Sequence, residues 1–229
     1  MSVILNIDTA IDSATLSIAH GGIILAETSN SDQKEHGSFL QPAIADLLEK
    51  TGLSLNQLDA IAVSAGPGSY TGLRVSMASA KGLCFALDKP LILIGTLKAL
   101  AYSTSLQMES ALPEDDFLIC PMIDARRMEV FTSLFDKNLN EISPPAAVIL
   151  NNDSFANWML KYKIFFSGNG SNKWRDQCNH PNARFLEVKN NPLAMSKLSY
   201  KKYQNRSFAD LNSAEPMYIK GFHSGSPLP

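Results

Sequence analysis

Residues 66–72 read Gly-Pro-Gly-Ser-Tyr-Thr-Gly, directly after the apolar run 60–65. A glycine loop between a buried strand and a helix can offer free backbone N–H groups and the positive end of a helix dipole to an anion. Gly66, Gly68 and Gly72 allow the close backbone approach that such a cradle needs. Neither nucleotide fingerprint is met. A Walker loop ends in Gly-Lys-Ser/Thr, whereas Gly72 is followed by Leu73-Arg74, and the dinucleotide pattern GxGxxG is stretched to GxGxxxG. For the loop alone, a tight strand-to-helix turn built for close packing is the simpler expectation.

Two carboxylates could work with it. Asp8 and Asp124 each close an apolar run near the start of a block of similar grammar. In a two-lobed fold they could face one another across a cleft and hold a hydrated magnesium ion. Turn and capping roles account for them equally well. Gly168 and Gly170, in the stretch SGNGSN (167–172), supply a further candidate contact to a nucleotide.

Other chemistries find little footing. His20, His36, His180 and His223 are isolated, without an HExxH or HxxxH pair, and His36 reads as a surface or capping residue at a helix start. There is no GxSxG elbow, and Ser69 has no assignable base. The stretch 196–206 carries Lys197, Lys201, Lys202 and Arg206 and no acid, with Tyr200 and Tyr203 between. It could touch an RNA backbone with help from partners. A solvated helix face over core tyrosines is the simpler expectation.

These residues must be positioned by an alternating α/β grammar. Runs at 3–8, 14–20 and 23–28 predict an antiparallel meander, with Gly21-Gly22 as a hairpin turn. A helix is expected over about 33–50, capped by Gly52 and disturbed or started by Pro42. A buried strand at 60–65, a helix at 71–87, a strand at 90–95 and a helical TLKALAYSTSL follow. Glu114-Asp115-Asp116 reads as a linker. Beyond it the pattern restarts: a strand at 117–125, a turn at Arg126-Arg127, strands at 128–135 and 147–150, a helix near 154–161 and a strand running into 164–170. Two similar α/β subdomains are therefore expected, alike in topology without a sequence repeat. In the helix 71–87, Ala78, Ala80, Gly82 and Ala86 would let another helix come close, and Gly82 costs about 1 kcal/mol against alanine unless packing compensates.

Composition bounds the rest. A chain of 229 residues with 45% hydrophobic and 18% charged residues can fill a core, which excludes wholesale disorder. A net charge of -2 argues against lone, charge-driven binding of nucleic acid. Three scattered cysteines without a CxxC pair suggest reduced thiols. The start MSVILNID lacks the basic region of a signal peptide, and no apolar run approaches a membrane span. A cytoplasmic protein without membrane attachment is expected.

LNIDTA near the start, SAGPGSYTGLRVSMASAKGL in the middle and the closing EPMYIK resemble the bacterial TsaB (YeaZ) family. The resemblance runs in order over nearly the whole chain. It implies the actin/Hsp70/sugar-kinase (ASKHA) fold, in lobes 1–108 and 109–229, with the segment 209–222 packing back on the first lobe. It also implies kinship to TsaD, the catalytic subunit that makes N6-threonylcarbamoyladenosine at position 37 of tRNA, and to chains once grouped as M22 glycoproteases. TsaD-type chains carry an HxxxH pair in a segment that aligns with residues 94–100, where Thr96 and Leu100 stand in place of the imidazoles. Threonine is a poor sole ligand for a transition metal and leucine is none.

The glycine-rich phosphate turns of active relatives read here Asp8-Thr9-Ala10 and Asp124-Ala125-Arg126. The resemblance thus implies a non-catalytic subunit with no catalytic residue and no metal site, binding ATP or ADP weakly at most, through Asp8, Gly66, Gly68, Asp124, Gly168 and Gly170. Its implied partners are TsaD, TsaE and a second copy of itself, with tRNA reached through the complex. Tyr70, Arg74, Met77, Ala78, Lys81 and Gly82 are the expected partner face of the helix 71–87. An M22-like metallopeptidase would need the absent HxxxH pair, and an ATP-dependent small-molecule kinase would need intact phosphate turns.

Overall fold

A computed structural model describes residues 2–32, 36–108 and 116–219, and the side chain of His36 lies outside that description, as do Glu114 and Asp115 of the expected linker. The first block folds as β1 (Val3–Asp8), β2 (Ala14–His20), β3 (Ile23–Asn30), α1 (His36–Thr51), β4 (Ala60–Gly66), α2 (Tyr70–Leu87), β5 (Leu91–Gly95) and α3 (Thr96–Met108). The second comprises β6 (Phe117–Asp124), β7 (Glu129–Asp136), β8 (Glu141–Ile149), α4 (Ala156–Met159), β9 (Lys163–Ser167), α5 (Asn172–Arg175), β10 (Ala183–Leu186) and α6 (Pro192–Gln204).

The two sheets are built alike. The first has the order β3-β2-β1-β4-β5 and the second, read from its far edge, β8-β7-β6-β9-β10. In each, the opening strand pairs antiparallel with the next and parallel with the fourth, as β1 does with β2 and β4, and β6 with β7 and β9. This is the doubled α/β arrangement implied by the ASKHA resemblance. Central strands are covered on both faces, which is why β4 is buried throughout and reads as an unbroken apolar run. Gly21 and Gly22 take φ of 59° and 78°, both positive as a tight hairpin turn demands.

Leu40, Ile44 and Leu47 of α1 and Met77, Ala80 and Cys84 of α2 close one face of the first sheet, over Leu5, Ile7, Ile61 and Val63. The other face is covered from the far end of the chain: Met195 and Leu198 of α6 pack on Ile4, Ala60, Ala62 and Ile92. Conversely, Leu97, Leu100 and Ala101 of α3 pack with Phe117, Ile119 and Ile123 of β6. Each lobe thus lends a helix to the other, across the expected division at 108/109. A buried polar knot fixes α6: Ser199 Oγ donates to Asn6 Oδ1 at 2.6 Å, and Asn6 Nδ2 donates to Ser196 Oγ at 3.3 Å.

The sequence-based elements differ in places. Strand β8 is longer than 147–150 because Pro144 and Pro145, which interrupt a ladder, are tolerated at the sheet edge. The helix expected near 154–161 is only the four residues of α4. Strand β10 was not expected: it is four half-covered residues at an edge, with too short a pattern to read. Helix α1 continues through Pro42, which lies inside it.

Candidate functional site

The glycine loop meets the turn after β1 backbone to backbone. A Cβ at Gly68 would lie 2.2 Å from the Ala10 carbonyl oxygen, and one at Gly72 would lie 2.1 Å from that of Thr9. Ser69 N donates to Ala10 O at 2.7 Å, and Thr9 Oγ1 donates to Gly72 O at 2.7 Å. Gly72 N is taken by the Ser69 hydroxyl, which caps α2. Gly66, at φ 103°, faces the end of the chain: its Cβ would lie 2.8 Å from Met217 O, and Met217 N donates to Ala65 O at 2.7 Å. These glycines hold three segments in contact, and the amides of Ser69 and Gly72 are spent within the chain.

Asp8 and Asp124 occupy equivalent places at the ends of β1 and β6, and each caps the turn that follows. Asp8 is buried; its Oδ1 accepts from Ala10 N at 3.0 Å and its Oδ2 from Asn190 Nδ2. Asp124 Oδ1 accepts from Arg126 N and from Lys173 Nζ, the latter at 2.8 Å. Partial burial pulls the Asp124 carboxyl upward, but the Lys173 hydrogen bond, the Arg126 amide and the Lys173 charge outweigh it and hold it below the ordinary carboxylate value. Lys173 also donates to Arg127 O at 2.7 Å and Glu129 O at 2.9 Å, so its three protons are used. In this arrangement an ammonium from α5 fills the second turn.

Gly168 and Gly170 pack on β6: a Cβ at Gly168 would lie 2.4 Å from Met122 O, and Gly170 N donates to that same oxygen at 3.0 Å. Between the lobes runs a polar cleft of about 1240 Å³, lined among others by Asp12, Ser13, Asn169, Lys189 and Asn190. Asn169 Nδ2 spans it to Asp12 Oδ2 at 2.7 Å. Of the six nucleotide candidates only Gly168 lines this cleft. The Ser69 and Gly72 amides at the first turn and the Lys173 ammonium at the second are thus bonded within the chain.

Thr96 opens α3 fully buried, with its hydroxyl unpartnered, and Leu100 is 1% exposed and abuts Gly168. Among the described residues no three His, Cys, Asp or Glu side chains group as metal ligands would. The cysteines are free; burial pushes the Cys84 thiol up to about 11 and Cys120 to about 12, against hydrogen bonds that lower them.

Helix α2 needs one correction. Met77, expected on the outer face, is 3% exposed and sits in the core beside Ala80 and Cys84, which share its helix face. Tyr70, Arg74, Ala78 and Gly82 are exposed. Among the described residues nothing lies within 4 Å of a built Cβ at Gly82, so none of them packs there to compensate its cost. Phe85, one turn on, is 83% exposed. Phe85 was not among the residues expected on the partner face, although the core spacing 73, 77, 80, 84 puts residue 85 off the buried face. Arg74 and Lys81 are engaged by the end of the chain: Arg74 Nε donates to Tyr218 OH at 3.0 Å and the guanidinium lies 4.0 Å above the Tyr70 ring, while Lys81 Nζ donates to Ala214 O at 2.9 Å. Ala209 bridges Leu91, so residues 209–218 run back along β5, α2 and the glycine loop.

A family model described as TsaD, tRNA N6-adenosine threonylcarbamoyltransferase, matches residues 18–211. The chain belongs to this family. Within it the chain sides with TsaB (YeaZ). It is 34% identical over 165 residues to the tRNA threonylcarbamoyladenosine biosynthesis protein TsaB of Bacillus subtilis, covering 70% of this chain and 66% of that one. It is 35% identical over 130 residues to the protein of the same name from Haemophilus influenzae, covering 57% and 52%. The matched stretches thus span about half to two thirds of these curated relatives. The solved structure of YeaZ from Pseudomonas aeruginosa superposes with a TM-score of 0.76 at 23% identity, over 95% of this chain and 100% of that one, which establishes the shared fold. No helix among the described residues is long and apolar enough to cross a membrane.

Proposed function

We propose that this chain is a non-catalytic subunit of a tRNA threonylcarbamoyladenosine-forming complex, pairing with a TsaD-type catalytic subunit. The observation that carries the reading is the outer face of α2: Ala78 and Gly82 leave room for a neighbouring backbone, and Phe85 stands beside them 83% exposed. A glycine with open space around it among the described residues and a bare aromatic ring suit a helix that is covered by a partner. The turns closed by Lys173 and by the glycine loop, and the apolar burial of Leu100, argue against the peptidase and kinase alternatives. TsaE and a second copy of the chain are further partners in this reading, tRNA is reached through the complex, nucleotide binding by the free chain is weak, and the site of action is the cytoplasm.

The test is reconstitution. The chain is co-purified with the TsaD-type subunit of its own organism, and tRNA modification is measured with and without it. Modification that needs this chain, and fails with Phe85→Glu, supports the reading. Full modification by the other subunits alone would overturn it.

A further inference from the structure

A second cavity, of about 740 Å³, lies on the other side of α3 from the polar cleft. Helix α3 presents Leu100, Ser103 and Gln107 to the cleft and Lys98, Tyr102 and Ser105 to this pocket, and the two share no lining residue. Its walls come from both lobes: the end of β5, the β7–β8 turn, and α6. Buried Leu97, Phe135 and Leu198 supply an apolar floor, and the rim is cationic, with Lys98, Lys197, Lys201 and Lys202. Glu141 is the one carboxylate among the described lining residues.

A protein with a net charge of -2 has gathered five lysines around one concavity. Like charges so placed repel, and that repulsion is relieved by a bound anion. Among the described residues Lys98, Lys197 and Lys201 make no ion pair, whereas Lys137, also in the lining, is bound to Asp116 at 2.7 Å. Lys202 Nζ is anchored on Leu93 O at 2.7 Å, which points the charge from the α6 side at a fixed position. Burial first, and the Lys98 charge second, hold the Lys202 ammonium below the ordinary lysine value.

We propose that this pocket binds a small phosphorylated molecule, its phosphates on Lys98, Lys197, Lys201 and Lys202 and its organic part against Tyr102 and the apolar floor. The volume of about 740 Å³ and the apolar residues beneath the lysines match a small-molecule site in size and character, where a strand of nucleic acid would favour an extended cationic track. This site is separate from the polar cleft and independent of the subunit role proposed above.

Pyrophosphate is titrated into the full chain by calorimetry at low salt, with adenosine monophosphate as a second probe. Binding is expected, weakened about tenfold by Lys98→Ala or Lys201→Ala, since each removes one charge-assisted contact. Both lysines are exposed, so circular dichroism should be unchanged. Lys189→Ala, in the polar cleft, and Lys50→Ala, on α1, should leave affinity as it is. The proposal is overturned if neither probe binds, if the loss follows Lys189→Ala instead, or if Lys50→Ala weakens binding equally. A short single-stranded RNA that binds through Lys98 and Lys201 and is not displaced by pyrophosphate would also overturn it.

Discussion

Lys173, on the short helix α5, places its ammonium 2.8 Å from the Asp124 carboxylate at the end of β6, and closes the turn between them. The same ammonium satisfies the carbonyls of Arg127 and Glu129, so the pair is a structural lock on the β6–β7 turn. Lys173→Met should leave those acceptors unpaired and cost about 1–3 kcal/mol. For a chain of this size that is a fall in melting temperature of roughly 2–12 °C, read by calorimetry.

The pH dependence follows with a definite sign. The folded Asp124 carboxyl lies below its ordinary value of 3.8, so its stabilising contribution is present above that value and is lost as pH falls through the lower folded value. Half of its side chain is in water, which keeps the contribution small. In Lys173→Met this part of the acid-unfolding slope should flatten. A variant with the parental acid profile would show that the pair does not set it.

Two glycines of one helix region should respond in opposite ways. Gly72→Ala drives a methyl to 2.1 Å from a backbone oxygen that cannot yield without moving β1, a loss of about 3 kcal/mol or more. Gly82→Ala enters open space in mid-helix and should stabilise the free chain by up to about 1 kcal/mol. Urea titrations of both variants separate them.

Met77→Glu and Phe85→Glu test which side of α2 is which. The first buries a carboxylate in the core and should unfold the chain. The second leaves a charge in water, and circular dichroism should be unchanged. Binding to the TsaD-type subunit should nonetheless fall about a hundredfold, since association would bury an unpaired charge. Equal folding with equal binding in Phe85→Glu would remove that face from the interface.

The thiols should differ in reactivity. Cys84 and Cys120 are buried and their thiols titrate far above neutrality, whereas Cys178 is only half-buried. Iodoacetamide at mildly alkaline pH should label Cys178 first in mass spectra of the native protein. Early labelling at Cys120 would show that the second sheet opens readily.

The strands carrying Asp8 and Asp124 were legible because buried central strands leave a largely apolar run, and the meander because Gly21-Gly22 announces its turn. The parallel between the two blocks could be read for the same reason. What a linear pattern cannot carry is which distant side chain completes a turn: nothing near residue 124 announces Lys173, and nothing near Gly66 announces Met217. Met77 was misplaced because methionine suits a core and an interface equally, and only the phase set by Leu73, Ala80 and Cys84 decides between them.

The crossing of α3 and α6 between the lobes means that the molecule cannot be divided at its waist. A fragment ending at Met108 would keep a helix whose apolar side belongs against β6, and would lack the one that shields Ile4 and Ile92. The complementary fragment would carry the mirror-image defect, with Asn6 no longer there to receive Ser199. Neither half should therefore fold on its own, and limited proteolysis between them should yield nicked molecules that stay associated rather than two surviving pieces. Any rotation of one sheet relative to the other must slide along both helices at once, so the two lobes are coupled through α3 and α6.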